Sequence, residues 1–114
     1  MTLEEFYNIV GGNYKDAIDR LMGEEMLRRF VARFPGDPSF SNLEQALRDG
    51  CREDAFRAAH TLKGLCLNLE FGKLHRSSHD LTEALRHEMA DNAAELFEAL
   101  KLDYALTIGA IANL

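Results

Sequence analysis

Proline and cysteine are scarce in this chain of 114 residues, which contains two of each. Two prolines leave long helices possible almost everywhere, because proline is the residue that most strongly interrupts a helix. Two cysteines do not make a disulfide framework, so we expect free thiols and a cytoplasmic, reducing compartment. No apolar run approaches the roughly 20 residues that a membrane-spanning helix needs. The alternation of apolar and polar residues that is typical of strands is missing as well.

Basic residues are also in short supply, since 13 of them face 19 acidic ones and the formal net charge is -6. General nucleic-acid binding depends on neutralising phosphates, so an anionic domain is a poor candidate for it. The acidic start of the chain has no basic leader, so we expect no signal peptide. Hydrophobic residues make up 46% and charged residues 28%, and this length suits one folded domain with one core.

Apolar residues do recur at helical spacing along almost the whole chain. Two short helices are predicted at the start, one over residues 3–10 and one over residues 14–21. A third helix is predicted to end at the turn Pro35–Pro38. Its apolar stripe is Met26, Phe30, Val31 and Phe34.

The rest of the chain predicts four further helices. Ser41 with Glu44 makes a capping-box pattern for the first of them, and Gly50 suits its C-terminal end. Two long helices follow, the first beginning at Arg52, and Asp91 is predicted to cap the last helix. Short connections between long amphipathic helices favour antiparallel neighbours. We therefore predict an all-α fold, an antiparallel up-and-down four-helix bundle with additional short N-terminal helices.

His60 lies off the predicted inner stripe of the helix that begins at Arg52. That stripe is Phe56, Ala59, Leu62, Cys66 and Leu69. The face that His60 shares holds Arg57, Lys63, Gly64 and Leu67, at helical spacings of three, four and seven. His60 is thus predicted to point outward with Lys63 beside it. A glycine inside a helix costs about 1 kcal/mol relative to alanine, and here it would open space for something to reach the ring.

An exposed histidine of this kind can take part in chemistry. A neutral imidazole is a good nucleophile near pH 7. Lys63 would attract and hold an incoming anion such as a phosphoryl group. Leu67 would leave an apolar patch that suits the docking of another protein. The plain alternative is that a histidine with a nearby lysine marks only a solvated helix face.

The stretch AAHTLKG, followed by a helix that ends in LTEALR, resembles the histidine-containing phosphotransfer (HPt) domain of two-component phosphorelays. The family pattern is His-x-Leu-Lys-Gly, then a glycine ten residues after the histidine and leucines in the following helix. The positions that fit are His60, Leu62, Lys63, Gly64, Leu74, Leu81 and Leu85. The resemblance runs from about Leu21 to the C-terminus, and residues 1–20 are less diagnostic.

This chain departs from the family pattern at two positions. Glu70 stands where the family has the glycine that follows the histidine, at the turn between the two long helices. Either Gly72 takes over the turn, or Glu70 adopts the conformation that glycine favours. Cys51 stands where an aspartate often begins the histidine helix, although Glu53 and Asp54 still put negative charge in its first turn.

The resemblance implies one HPt domain over residues 1–114, with a phosphorylated histidine on an exposed face of a four-helix bundle. His60 would be the phospho-acceptor, Lys63 would stabilise the phosphoryl charge, and Gly64 would give access. The phosphoryl group would come from the aspartate of one receiver domain and pass to another, with a hybrid sensor histidine kinase as a further partner. Such domains have no kinase activity and no cofactor, since the Mg²⁺ belongs to the receiver. We expect a free-standing cytoplasmic monomer.

The second long helix supplies candidates for orienting the ring. Its predicted inner stripe is Phe71, Leu74, Ser78, Leu81 and Leu85. If the two long helices form a hairpin about Glu70, His60 lies across from residues 79–82. His79 or Thr82 would then flank the site and bond the ring nitrogen that does not attack. Arg57 would add positive charge, and Leu67 would contribute to docking.

Three competing hypotheses follow from the same residues. His75, His79, Glu83 and His87 are spaced by four, and a pair of such histidines can bind zinc. Four-residue steps drift around a helix by about 40° each, so the set does not converge on one ion and we expect no metal site. An enzyme is not predicted, because glycine loops, nucleophile elbows and paired catalytic carboxylates are missing. A helical adaptor without phosphoryl chemistry is the remaining alternative.

Overall fold

The computed structural model describes all of residues 1–114 and folds them into seven α-helices and one 3₁₀ turn, with no strand. The prediction of an all-α fold is therefore confirmed. The elements are α1 (Leu3–Val10), α2 (Tyr14–Arg20), α3 (Glu24–Arg33), the 3₁₀ turn (Phe34–Gly36), α4 (Ser39–Arg48), α5 (Arg52–Asn68), α6 (Gly72–Leu85) and α7 (Ala93–Ala112).

Helices α4 to α7 form the four-helix bundle, and each packs on the next along the chain because the connections are short. The bundle closes where the ring of Phe40 in α4 stacks on Tyr104 in α7, with ring centroids 3.9 Å apart. The shorter helices α1 to α3 add to it, and α1 packs against α6 and α7. None of the helices combines the length and the apolar character that a membrane crossing requires.

The inner face of α5 lies in the core, as the helical spacing predicts. Ala55, Ala59, Leu62 and Cys66 are buried, whereas Phe56 is only half-buried. Cys66 carries a free thiol, and burial raises the pKa of that thiol. It therefore stays protonated and serves as a small core residue.

The apolar stripe of α3 differs from the prediction. Leu27 and Val31 are the buried residues of this helix, while Met26 and Phe30 are exposed on its surface. Leu27 and Val31 are four residues apart and share a face with Phe34, which is also buried. The prediction was wrong for Met26 and Phe30 because more apolar residues are present than one helix face can bury.

Two predicted helix caps are wrong. α4 begins at Ser39, where the backbone N–H donates to Oδ1 of Asp37 at 2.8 Å, so Ser41 lies inside the helix and does not cap it. α7 begins after Asn92, and no side chain caps it, so Asp91 does not take that role. Gly50 does end α4 in the left-handed conformation, with a φ of 69°.

The turn between α5 and α6 is made by Glu70 itself, which adopts a φ of 59°. This left-handed conformation costs a non-glycine residue roughly 1–2 kcal/mol. Gly72 begins α6 and is required for a different reason, since a Cβ there would lie 2.1 Å from the carbonyl oxygen of Gly11. The turn therefore keeps the shape that a glycine would give it, and the two long helices form the predicted hairpin.

Candidate functional site: the outer face of α5

His60 lies near the middle of the 17-residue helix α5 and is exposed. Its ring stacks beside that of Phe56, one turn earlier, with centroids 6.0 Å apart and an angle of 14° between the planes. The guanidinium of Arg86 covers the Phe56 ring at 5.2 Å. Neither ring nitrogen of His60 has a hydrogen-bond partner in the protein. Since the residue is also exposed, a reacting group can approach the ring from solvent.

Lys63 lies one turn after His60, on the side of α5 that faces α6, and is half-buried. Its charge reaches α6, where it is one of the groups that lower the pKa of His75. The ammonium group is not engaged by any carboxylate in an ion pair, in contrast to most arginines of the chain. Lys63 is thus a free positive charge next to the imidazole.

Gly64 leaves open space on the other side of His60. A Cβ built on it would meet no other atom within 4 Å. The fold itself therefore does not require a glycine at this position, although a glycine weakens the helix by about 1 kcal/mol. The space would be available to a molecule that approaches from outside.

Leu67 and Arg57 flank this face at opposite ends. Leu67 is 50% exposed, which is a large exposed fraction for a leucine and leaves an apolar contact on the surface. Arg57 donates to Oε1 of Glu53 at 2.6 Å and also lies 3.9 Å from Oδ1 of Asp54. The charge of Arg57 is thus largely balanced by its own helix, whereas that of Lys63 is not.

Thr82 does not reach the site. It is fully buried, and its hydroxyl donates to the carbonyl oxygen of Ser78 at 2.6 Å. The prediction that Thr82 flanks the exposed ring is therefore wrong. Thr82 follows Ser78 by four residues, so both lie on the inner face of α6. His79 is exposed, and its ring neighbours that of His75 at 6.5 Å.

Phe56 and His75 were not predicted as site residues, although spacing could have indicated Phe56. Phe56 and His60 are four residues apart, the separation at which side chains on a helix meet. His75 lies across the hairpin and has no signal in the sequence that connects it to Lys63. Partial burial, followed by the charges of His79, Lys63 and Arg76, lowers the pKa of His75.

The two flanks of α5 carry different sets of charged groups. On the α6 side groups of both signs lie close together, namely Lys63, His75, Arg76, His79, Glu70 and Glu83. On the α4 side a groove of about 600 Å³ is lined by Asp37, Asp49, Asp54 and Arg57 among others. Acidic residues are thus in excess only on the α4 flank.

No three histidine, cysteine, aspartate or glutamate side chains come together in a way that could hold a metal ion. His75 and His79 are neighbours on α6, while His87 lies beyond the end of that helix. The four-residue spacing of these residues thus does not assemble a ligand set.

One of three comparisons with known proteins found a match. A search of curated proteins and a search of solved structures found no match. The family model of the Hpt domain matches residues 25–109, which is most of the chain. The matched range includes the whole of α5 and α6, and with them His60, Lys63 and Gly64. This chain belongs to the Hpt domain family, whose members carry phosphoryl groups in phosphorelays and are not kinases.

Proposed function

We propose that this protein is a phosphorelay intermediate that takes a phosphoryl group onto His60 from the aspartate of one receiver domain and gives it to another. The observation that supports this role is the outer face of α5. It combines an imidazole without protein partners, a free ammonium group at Lys63 and open space at Gly64. A packed helix face without a function would have no need of this combination.

The transfer is a displacement at phosphorus. A ring nitrogen of neutral His60 donates its lone pair to the phosphorus of the aspartyl phosphate, and an N–P bond forms. The bond between phosphorus and the aspartyl oxygen breaks, and its electron pair leaves with the carboxylate. Transfer to the second receiver is the same step in reverse, with a new aspartate as the nucleophile.

Lys63 would stabilise the negative charge on the phosphoryl oxygens while these bonds exchange. Its ammonium group is one helical turn from His60 and forms no ion pair with a carboxylate, although its charge acts on the nearby Glu83. Arg57 could add to this effect only by leaving Glu53, so its contribution would be smaller. The Mg²⁺ that assists the aspartate side is expected on the receiver, and we expect this protein to need no cofactor.

The receiver would dock on a surface made of His60, Gly64, Leu67 and the groove next to them. That groove has a volume of about 310 Å³, lies between α3 and the C-terminal half of α5, and is lined by Leu21, Phe30, Phe34, Leu65 and Leu69 among others. Together with the exposed Leu67 it would offer apolar contact area at the C-terminal end of α5, beyond His60. We define these residues as the docking surface.

We expect the protein to act as a monomer in the cytoplasm, where its two unpaired thiols would stay reduced. Its partners would be receiver domains, including that of a hybrid sensor histidine kinase. No part in nucleic-acid binding is proposed, because the net charge of -6 opposes it.

The test is transfer of label from a phosphorylated receiver domain, with Mg²⁺, to the protein and to two variants. His60→Gln should take no label, whereas His87→Gln, a matched change at another exposed histidine, should take it as the wild type does. The label should be lost in acid and kept in alkali, as expected of a phosphorylated histidine. Failure of the wild type to take label from any of several receivers would contradict the proposal and favour the adaptor.

A further inference from the structure

The first two helices contact the C-terminal end of the histidine helix, although they lie outside residues 25–109 that the family model matches. The hydroxyl of Tyr7 in α1 donates to the carbonyl oxygen of Leu69 at 2.8 Å. The guanidinium of Arg20 in α2 donates through Nη1 to the carbonyl oxygen of Leu67 and, at 3.5 Å, to that of Asn68. Three successive carbonyls at the end of α5 are thus held by side chains from the N-terminal segment.

These hydrogen bonds satisfy carbonyl groups at the C-terminal end of α5. The last carbonyls of a helix have no partner within it, and they carry the negative end of the helix dipole. A guanidinium at this place satisfies both requirements, because it donates hydrogen bonds and is positively charged. Burial, and then the nearby Glu70 carboxylate, raise the pKa of the Tyr7 hydroxyl, so that it keeps its proton and donates.

The backbones of the two segments also touch. A Cβ at Gly12 would lie 1.8 Å from the carbonyl oxygen of Glu70, so only a glycine fits between α1 and α2 at this point. A Cβ at Gly72 would lie 2.1 Å from the carbonyl oxygen of Gly11. The α1–α2 connection and the α5–α6 turn are therefore in direct contact, and the contact requires a glycine on each side.

Arg20 also forms an ion pair with Glu70, the residue in the left-handed conformation at the turn. Its Nη2 lies 3.2 Å from Oε1 of Glu70, the residue with a φ of 59°. This ion pair holds the glutamate side chain in place while its backbone takes the left-handed conformation. One guanidinium therefore connects the last turn of α5 to the turn that follows it.

We propose that residues 1–24 brace the C-terminal end of α5 for receiver docking and that Arg20 is the positioning residue of this brace. The inference rests on the proposed function. Leu67, whose carbonyl Arg20 holds, supplies the exposed apolar group of the docking surface. Arg20 and Asn68 line the groove of that surface. His60 lies about two turns earlier, within the regular part of the helix.

Loss of Arg20 should accordingly let the last turn of α5 fray and move Leu67, while His60 keeps its place. The effect is then on binding and not on the chemical step. A general loss of stability would not produce this separation, because it would lower the folded fraction without changing the affinity of the molecules that remain folded.

The experiment measures the Kd of a receiver domain, and the transfer rate at saturating receiver, for three variants. Arg20→Met should raise Kd about fivefold to tenfold, with the transfer rate within about twofold. This is less than the full loss of hydrogen bonds from a charged group, because Leu67 is displaced and not removed. Arg20→Lys keeps a charge and a donor at the carbonyls and should restore most of the affinity. Arg52→Met is the matched control.

Arg52 does for α6 what Arg20 does for α5. Its Nη1 donates to the carbonyl oxygens of Leu85 at 2.8 Å and Arg86 at 3.0 Å, at the end of α6 and away from Leu67. Arg52→Met should therefore lower Tm and leave Kd unchanged. An unchanged Kd in Arg20→Met, or an equal rise in Arg52→Met, would overturn the brace as a docking device.

Amide hydrogen exchange gives a second readout that needs no phosphoryl transfer. In Arg20→Met the amides of Glu70 and Phe71, which donate to Leu67 and Cys66, should exchange faster, while those of residues 56–63 keep their protection. If the wild type binds a receiver but takes no label, the proposed function fails. The Kd values of the arginine variants for that receiver would still test whether residues 1–24 support docking. If the wild type binds no receiver at all, both proposals fall.

Discussion

The two faces of α5 differ in what they need from the rest of the molecule. The inner face is filled by Ala55, Ala59, Leu62 and Cys66, all of which are buried against other helices. The outer face carries His60, with no protein hydrogen bond, and Gly64, with no atom within 4 Å of a built Cβ. One face thus depends on packing for its stability, and the other, in the function proposed here, is used by an approaching protein. The difference indicates that fold and chemistry can be changed separately on a single helix.

The largest effect on stability is expected from the inner face. Leu62 is 1% exposed, and Leu62→Ala should lower the free energy of unfolding by about 2–5 kcal/mol because it leaves a cavity. Urea unfolding followed by circular dichroism measures this loss. Molecules of the variant that remain folded should still take label at the wild-type rate. A loss of transfer greater than the loss of folded protein would show that the two faces are not independent.

A change on the outer face should impair phosphoryl transfer and leave the stability of the fold nearly unchanged. Lys63→Ala should slow transfer at saturating receiver by about tenfold to hundredfold, less than a buried donor would cost because this site is exposed to solvent. Its unfolding midpoint should stay close to that of the wild type, as is usual for a surface substitution. Lys101→Ala removes an exposed lysine of α7 and serves as the control, with no expected change in transfer. Normal transfer by Lys63→Ala would contradict the role proposed for Lys63.

Two glycines allow a sharper test of access. Gly64 and Gly109 both lie within long helices, and in both cases a Cβ would meet nothing within 4 Å. Replacement of either by glutamine should stabilise its helix by about 0.5 kcal/mol or more. Only Gly64→Gln should weaken receiver binding, by roughly tenfold, since the new side chain fills the approach to His60. Titration of a receiver with the two variants measures their affinities. Equal affinities would contradict the proposal that Gly64 keeps the approach to His60 open.

The smallest expected effect concerns the flank beside α6. Partial burial, then the charges of His79, Lys63 and Arg76, lower the pKa of His75 below its value of 6.5, while Glu70 acts in the other direction. The folded state therefore binds this proton less readily than the unfolded state does. The associated stability is fully present above pH 6.5 and is lost as pH falls through the folded-state pKa.

His75→Gln removes the group whose protonation favours the unfolded state. The variant should therefore lose less stability than the wild type between pH 7 and pH 5. Denaturant unfolding at a series of pH values provides the measurement. A variant that loses stability on acidification just as steeply as the wild type would show that His75 does not contribute to it.

The sequence was sufficient for the faces of α5, because apolar residues three and four apart define a buried stripe and leave His60 outside it. The same argument, applied to Ser78, would have buried Thr82, which lies four residues later. Thr82 was misplaced because the hairpin alignment indicated which residues lie opposite one another and not which way they point. The starts of α4 and α7 were misplaced because several serines and aspartates lie close together and each is a possible cap.

The conformation of Glu70 could not be predicted from nearby residues. The group that holds its side chain, Arg20, comes from α2, and Arg20 precedes Leu67 by 47 residues. The contact of Gly12 with the carbonyl of Glu70 joins residues that are still farther apart in the chain. Residues 1–20 were the least diagnostic part of the sequence because their importance lies in these long-range contacts and not in a local motif.

The solitary imidazole on α5 has one more consequence. No group of this chain fixes which nitrogen of His60 carries the proton, so each docking partner can choose the tautomer that it needs. In the proposed relay the tautomer of His60 is then no obstacle to either loading or unloading of the phosphoryl group. In the relay proposed here, the direction of flow would be set by the relative amounts of the two receivers and of their phosphorylated forms, and a change in either would reverse the traffic through the same histidine.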